Sequence, residues 1–133
     1  MLRPGGTLVV FDGDYATLTF GTEDPEQGRA WDERIVRAII ANPRIMRAVP
    51  RHLRRLGLEL VGWHAYAFNE IGRADFFLGS LRSFLILLPK AGVATAEEVR
   101  AFVDDQLRAS GEGAFFAGYN FVTCIARRPD RDA

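Results

Sequence analysis

Residues 8–18 read LVVFDGDYATL, and the fold turns on how this stretch is understood. An apolar, β-branched run ends in Asp12-Gly13-Asp14, so two carboxylates stand where a buried strand would release them into a cleft. Pro4-Gly5-Gly6 forms a turn just ahead, and Thr7 to Phe11 has strand length and is apolar on both faces. Such a run is expected of a strand covered by helices on both sides. The acidic pair fits three roles: a phosphoryl-transfer nucleophile, a metal or nucleotide-sugar clamp, or the end of one strand in a doubly wound sheet.

Outward from this strand, Asp24-Pro25-Glu26-Gln27 announces a helix, with Asp24 as N-cap and Pro25 at the first helical position. Trp31, Ile35, Ala38 and Ile39 recur at helical spacing and form its buried stripe. Asn42-Pro43 starts a second helix, which Pro50 is expected to break or re-cap. That helix closes at Arg54-Arg55-Leu56-Gly57, basic residues followed by a glycine. Leu58 to Phe68 reads as the next strand and 71–88 as a helix stopped at Pro89. Thr95-Ala96-Glu97-Glu98 is a capping box opening a helix closed by Gly111, and Phe115 to Ala126 is the last strand. Strand, two helices, strand, two helices, strand predicts parallel pairing of the first two strands with a right-handed crossover.

Composition narrows the function. At 133 residues the chain is one domain. Its 17 basic and 17 acidic residues cancel, so no global field recommends nucleic acid or an anionic membrane as a partner. No apolar run approaches the length of a membrane span. A hydrophobic content of 48%, with 11% aromatics, supports a folded core. Cys124 is the only cysteine, which excludes an intrachain disulfide and a multi-cysteine metal site and fits a reducing, cytoplasmic setting. Five arginines (Arg44, Arg47, Arg51, Arg54, Arg55) read as a solvated helical face, because exposed aromatics are not interleaved with them.

Two readings of the acidic pair weaken on inspection. The strand ending in Asp-x-Asp resembles the opening motif of haloacid-dehalogenase-type phosphatases, but those continue with Gly-Thr where this chain has Tyr15-Ala16-Thr17. Lys90, the only lysine, and Asp104-Asp105, within a helical stripe, do not supply that family's later motifs. A calcium loop over Asp12, Asp14 and Glu23 fails because Thr17 stands where the sharp turn needs glycine. No metal site is expected.

The third reading rests on residues upstream. Leu2-Arg3-Pro4-Gly5-Gly6-Thr7-Leu8-Val9-Val10-Phe11-Asp12 resembles the entry to the fifth strand of class I S-adenosylmethionine-dependent methyltransferases. Asn42-Pro43-Arg44 through Leu53-Arg54-Arg55-Leu56-Gly57-Leu58 is similar to the helix before that family's sixth strand. Ala114-Phe115-Phe116-Ala117 through Ala126-Arg127-Arg128-Pro129 is similar to its last strand and basic, proline-containing tail. The resemblance implies an α/β, partial Rossmann-like methyltransferase fold. It would have a three-stranded mixed sheet, two parallel strands plus an antiparallel last one, flanked by helices. Residues 1–129 would be the C-terminal half of the domain, with a helical cap insert over about 70–111 and an unstructured tail at 130–133. Strands one to four, the glycine-rich loop and the ribose-binding acid have no counterpart here, and Met1 would mark an internal start or a truncation point.

The implied activity of the complete enzyme is methyl transfer to a small molecule, with S-adenosylmethionine as cofactor and no competence for binding it in this chain alone. An alternative is a non-catalytic small-molecule-binding or dimerisation module derived from that fold; the phosphatase is a distant third. Ligands would approach the carboxyl ends of the strands. That makes Asp12, Asp14, Tyr15, Asn69 and Phe115 the candidate substrate-binding residues, with no catalytic or cofactor-binding residue assigned. The bland readings are loop caps for the aspartates, packing for Tyr15 and a satisfied, partly buried His64. The strand 7–11 would lack a neighbour on one edge, and self-association through that edge is expected.

Overall fold

A computed structural model describes residues 2–130. The element order is β1 (Thr7–Phe20), α1 (Pro25–Ile39), α2 (Ile45–Arg55), β2 (Glu59–Gly72), α3 (Phe76–Lys90), α4 (Ala96–Glu112) and β3 (Phe115–Arg127). The sheet is three-stranded, open and wholly antiparallel, in the order β1-β3-β2. The expected parallel pairing of the first two strands is therefore corrected. They run in the same direction, but β3 lies between them and takes the hydrogen bonds of both. Phe115 to Arg127 is apolar or aromatic at nearly every position, as the one strand flanked on both edges should be. Residue 1 and the tail at 131–133 lie outside the described residues; Asp130 has no regular structure.

Several boundaries also move. β1 does not stop at Phe11 but runs through the acidic pair to Phe20, with an irregularity between Asp14 and Thr19. β2 extends to Gly72, so α3 starts five residues later than the apolar pattern suggests. Glu70 explains that start: its carboxylate accepts the backbone N–H groups of Asp75, Phe76 and Phe77 at 3.1, 2.6 and 3.2 Å. Three of the donors left unpaired at a helix N-terminus are satisfied at once. α2 continues through Pro50 and α3 through Pro89 rather than stopping at them. The Thr95–Glu98 capping box forms as expected, while Gly113, with φ +76°, closes α4 two residues beyond Gly111.

Register assigns the side chains to two faces. Leu8, Val10, Val122, Cys124 and Ala126 share one face, which α2 covers with Met46, Val49 and Leu53. The other face is covered only near the carboxyl ends of β1 and β2. There α1, α3 and α4 bring Trp31, Ile35, Phe77, Leu81, Phe84 and Phe102 onto Leu18, Phe20, Phe115, Ala117 and Tyr119. Phe20 is the hub, edge-to-face with Phe77, Phe84 and Phe102 at 5.5 to 5.8 Å. Below this layer the same face is bare. Val9 is 59% and Phe11 55% exposed, with Phe11 stacked on the half-buried Phe121 and Tyr66 on Phe121's other side. His64 also lies on this bare region and is exposed, not partly buried as expected.

The outer edge of β1 is divided in the same way. In its upper half, Asp32 of α1 accepts the Phe20 N–H at 3.0 Å and the Thr19 hydroxyl at 2.6 Å, and the Ala16 N–H donates to the Pro43 carbonyl at 3.1 Å. In its lower half, Thr7–Phe11, no other described element hydrogen-bonds to the outer edge. No helix among the described residues is long and apolar enough to cross a membrane.

Candidate functional site

Two adjoining cavities open at the carboxyl end of β1. The inner one, about 110 Å³, lies between β1, the end of α1, the start of α3 and Tyr119. The outer one, about 690 Å³, lies along the upper edge of β1 against α1 and the Ile40–Pro43 connection. Leu18 and Ile40 line both, so the two form one crevice around these side chains. Its position follows from local structure. The β1–β3 register shifts between Asp14 and Thr19, and Asp32 ties the end of the strand to α1 at Thr19 and Phe20, so the crevice lies beside the irregular segment.

Of the five residues singled out by sequence only Asp12 and Tyr15 are brought together. Tyr15 lines the inner cavity, its ring stacked on Tyr119 at a centroid distance of 5.2 Å. Both rings lie across Gly13, where a Cβ would stand 2.9 Å from Tyr15 Cζ and 3.0 Å from Tyr119 Cε2, closer than a side chain allows. Asp12 accepts the Gly13 N–H at 2.7 Å and lies beside the Tyr15 hydroxyl. Burial, and then the Asp12 charge, push the Tyr15 hydroxyl above its ordinary pKa. Burial, and then the neighbouring Tyr15 and Asp12, do the same to Tyr119. Both phenols stay protonated, the Tyr15 hydroxyl donating to Asp12 and the Tyr119 hydroxyl to Tyr15.

The other three are spent elsewhere. Asp14 is buried and receives Arg47 of α2, with Nε 2.9 Å from both carboxylate oxygens and Nη2 2.8 Å from Oδ2. This ties α2 to the sheet and leaves Asp12 and Asp14 without the shared site that a nucleophile and its proton carrier need. Asn69 sits on β2 opposite Gly118, away from both cavities. Phe115 is 2% exposed, behind Phe20 and Phe77 in the core, and reaches neither cavity.

Sequence reasoning missed most of the crevice. Leu18, Ile39, Ile40, Phe76, Ser80 and Phe84 line it from three elements, and Tyr119 comes from the far end of the chain. The helix expected over 71–88 carries Phe77, Leu81, Phe84 and Leu88 on its buried face, and Phe76 and Ser80 on the flank of that face join Tyr15 at the cavity. Asp32 was hidden within a helix read only for its apolar stripe. Half-buried beside the outer cavity, it has its carboxyl pKa raised by burial, which outweighs the lowering by its bonds from Thr19 and the Phe20 amide. Among the described residues no three or more histidine, cysteine, aspartate or glutamate side chains gather to hold a metal.

The inner part of the crevice can receive an apolar group against a largely aromatic wall that includes the paired Tyr15 and Tyr119 rings. Ser80 is the one aliphatic hydroxyl on the inner wall, and no base among the described residues hydrogen-bonds to it. No protein-family model matches the chain, and no curated protein sequence matches it.

Proposed function

We propose that this chain is the C-terminal portion of a class I S-adenosylmethionine-dependent methyltransferase domain, and that the crevice at the end of β1 is its acceptor site. The observation that carries the reading is the strand that leaves Leu2-Arg3-Pro4-Gly5-Gly6, pairs with β3 on one side and has no partner among the described residues on its outer edge along Thr7–Phe11. In a wound sheet such a strand is interior, and a preceding strand would occupy that edge. A last strand antiparallel to the first two also accords with the resemblance. Methyl transfer to a reactive acceptor asks for in-line positioning and a dry pocket more than for acid–base groups. The inner cavity is suited to that. The residues that would hold the cofactor belong to the half with no counterpart here, so the chain alone is not competent to bind it. A reducing, cytoplasmic compartment and self-association through the bare edge are part of the same proposal.

One observation favours a second reading, a non-catalytic module derived from the fold. α1 and Pro43 cover the upper half of the β1 edge, a protection that an independently folded descendant would need. The bare lower half favours the first. The phosphatase reading gains nothing from an Asp14 committed to Arg47.

Calorimetric titration with S-adenosylmethionine tests the proposal. The chain alone is expected to bind very weakly or not at all, and the protein extended through residues encoded in frame upstream of Met1 is expected to bind saturably. Tight binding by the 133-residue chain itself, or none by the extended protein, removes the reading.

A further inference from the structure

We infer that the inner cavity takes a single uncharged aromatic ring, so that the acceptor is a mono-aryl compound whose polar substituent lies in the outer crevice. This rests on reading the crevice as the acceptor site. Six of the ten lining residues are aromatic, among them Tyr15, Phe76, Phe84 and Tyr119, and none is charged. A charged group placed there would lose its hydration without gaining a partner. Phe20 meets Phe77 and Phe84 at interplanar angles of 76°, so the walls already use the edge-to-face geometry that a further ring would join.

Volume sets the ring count. An apolar cavity of about 150 Å³ holds one benzene, and this one measures about 110 Å³. One ring therefore fills the inner cavity and reaches its mouth, and a fused bicycle would have to extend past Leu18 and Ile40 into the outer crevice. There the lining is mixed: Arg29, Asp32, Glu33 and Arg37 stand beside Ala16, Val36, Ala41 and Pro43, so a polar substituent finds partners there that the inner cavity does not offer.

Titration of the chain with phenol and with indole, followed by nuclear magnetic resonance, tests this. Phenol is expected to bind about tenfold more tightly than indole, with nuclear Overhauser contacts to Leu18, Phe84 and Tyr119. Ser80→Leu, which fills the cavity from a half-buried helix position, is expected to weaken phenol by about tenfold. Equal or tighter indole binding, or contacts to Phe11 and Phe121 on the bare face, overturns the inference, as does a folded Ser80→Leu variant that binds phenol normally. If that variant fails to fold, the Overhauser contacts in the unaltered chain decide. No methyl donor enters these experiments. Failure here removes the ligand class and leaves methyl transfer to the cofactor titration, while failure there leaves the ring site standing.

Discussion

Val9→Lys places a charge on the bare lower half of β1, where an unfinished border would be paired. Val9 is 59% exposed. Fully burying a valine is worth roughly 1.5–2 kcal/mol, so hiding the remainder contributes about 1 kcal/mol per copy. Across a two-fold self-association the substitution removes about 2 kcal/mol, or about thirtyfold in dissociation constant. Like charges meeting across the dyad add to that. The folded monomer should change by less than about 0.5 kcal/mol, because the site is exposed and carries no hydrogen bond from its side chain. Sedimentation velocity over a concentration series reads the effect: the wild-type chain associates and the variant shifts to monomer. β2 is also an edge strand, with Trp63 67% exposed, so Ala65→Lys is the control. Wild-type chains that stay monomeric throughout would refute the reasoning, as would association abolished by Ala65→Lys and untouched by Val9→Lys.

Glu70→Ala should cost roughly 1–3 kcal/mol, because three amides at the start of α3 lose a charged acceptor; urea denaturation measures it. Burial raises the Glu70 pKa, but the three amide bonds outweigh it and the net shift is downward from 4.5. Its stabilisation is therefore complete above the unfolded value near 4.5 and is lost as pH falls through the lower folded value, a slope that Glu70→Gln should reduce. Arg47→Ala leaves the buried Asp14 carboxylate unpaired and is expected to cost about 1–3 kcal/mol, with amide exchange accelerated in α2 before α4. Gly13→Ala forces Tyr15 and Tyr119 apart and should cost about 1–3 kcal/mol, with near-ultraviolet circular dichroism reporting the displaced tyrosines.

The sequence was most legible where one element decides its own form. The Thr95–Glu98 box, the Asp24 cap, the Trp31–Ile35 stripe and the existence of all three strands follow from local spacing, and each is present. Strand pairing was not legible. A strand–helix–strand order normally implies a parallel neighbour, and nothing in Thr7–Phe11 or Leu58–Phe68 shows that β3 will separate them. The length of β1 was hidden by Asp12 and Asp14, which look like loop residues until Arg47, 33 positions later, pairs with one of them. The crevice was the least legible, since Tyr15, Ile40, Ser80 and Tyr119 meet only through tertiary packing. Neither aspartate sits in a loop: within β1, Asp12 accepts the Gly13 amide and Asp14 pairs with Arg47 of α2.

The central claim is that Thr7–Phe11 was built to lie inside a larger wound sheet. Sequencing the transcript that carries the Met1 codon, through the region ahead of it, tests this most directly. The account predicts an open frame encoding a β-strand followed by a glycine-rich turn; a stop codon in frame immediately before Met1 would contradict it.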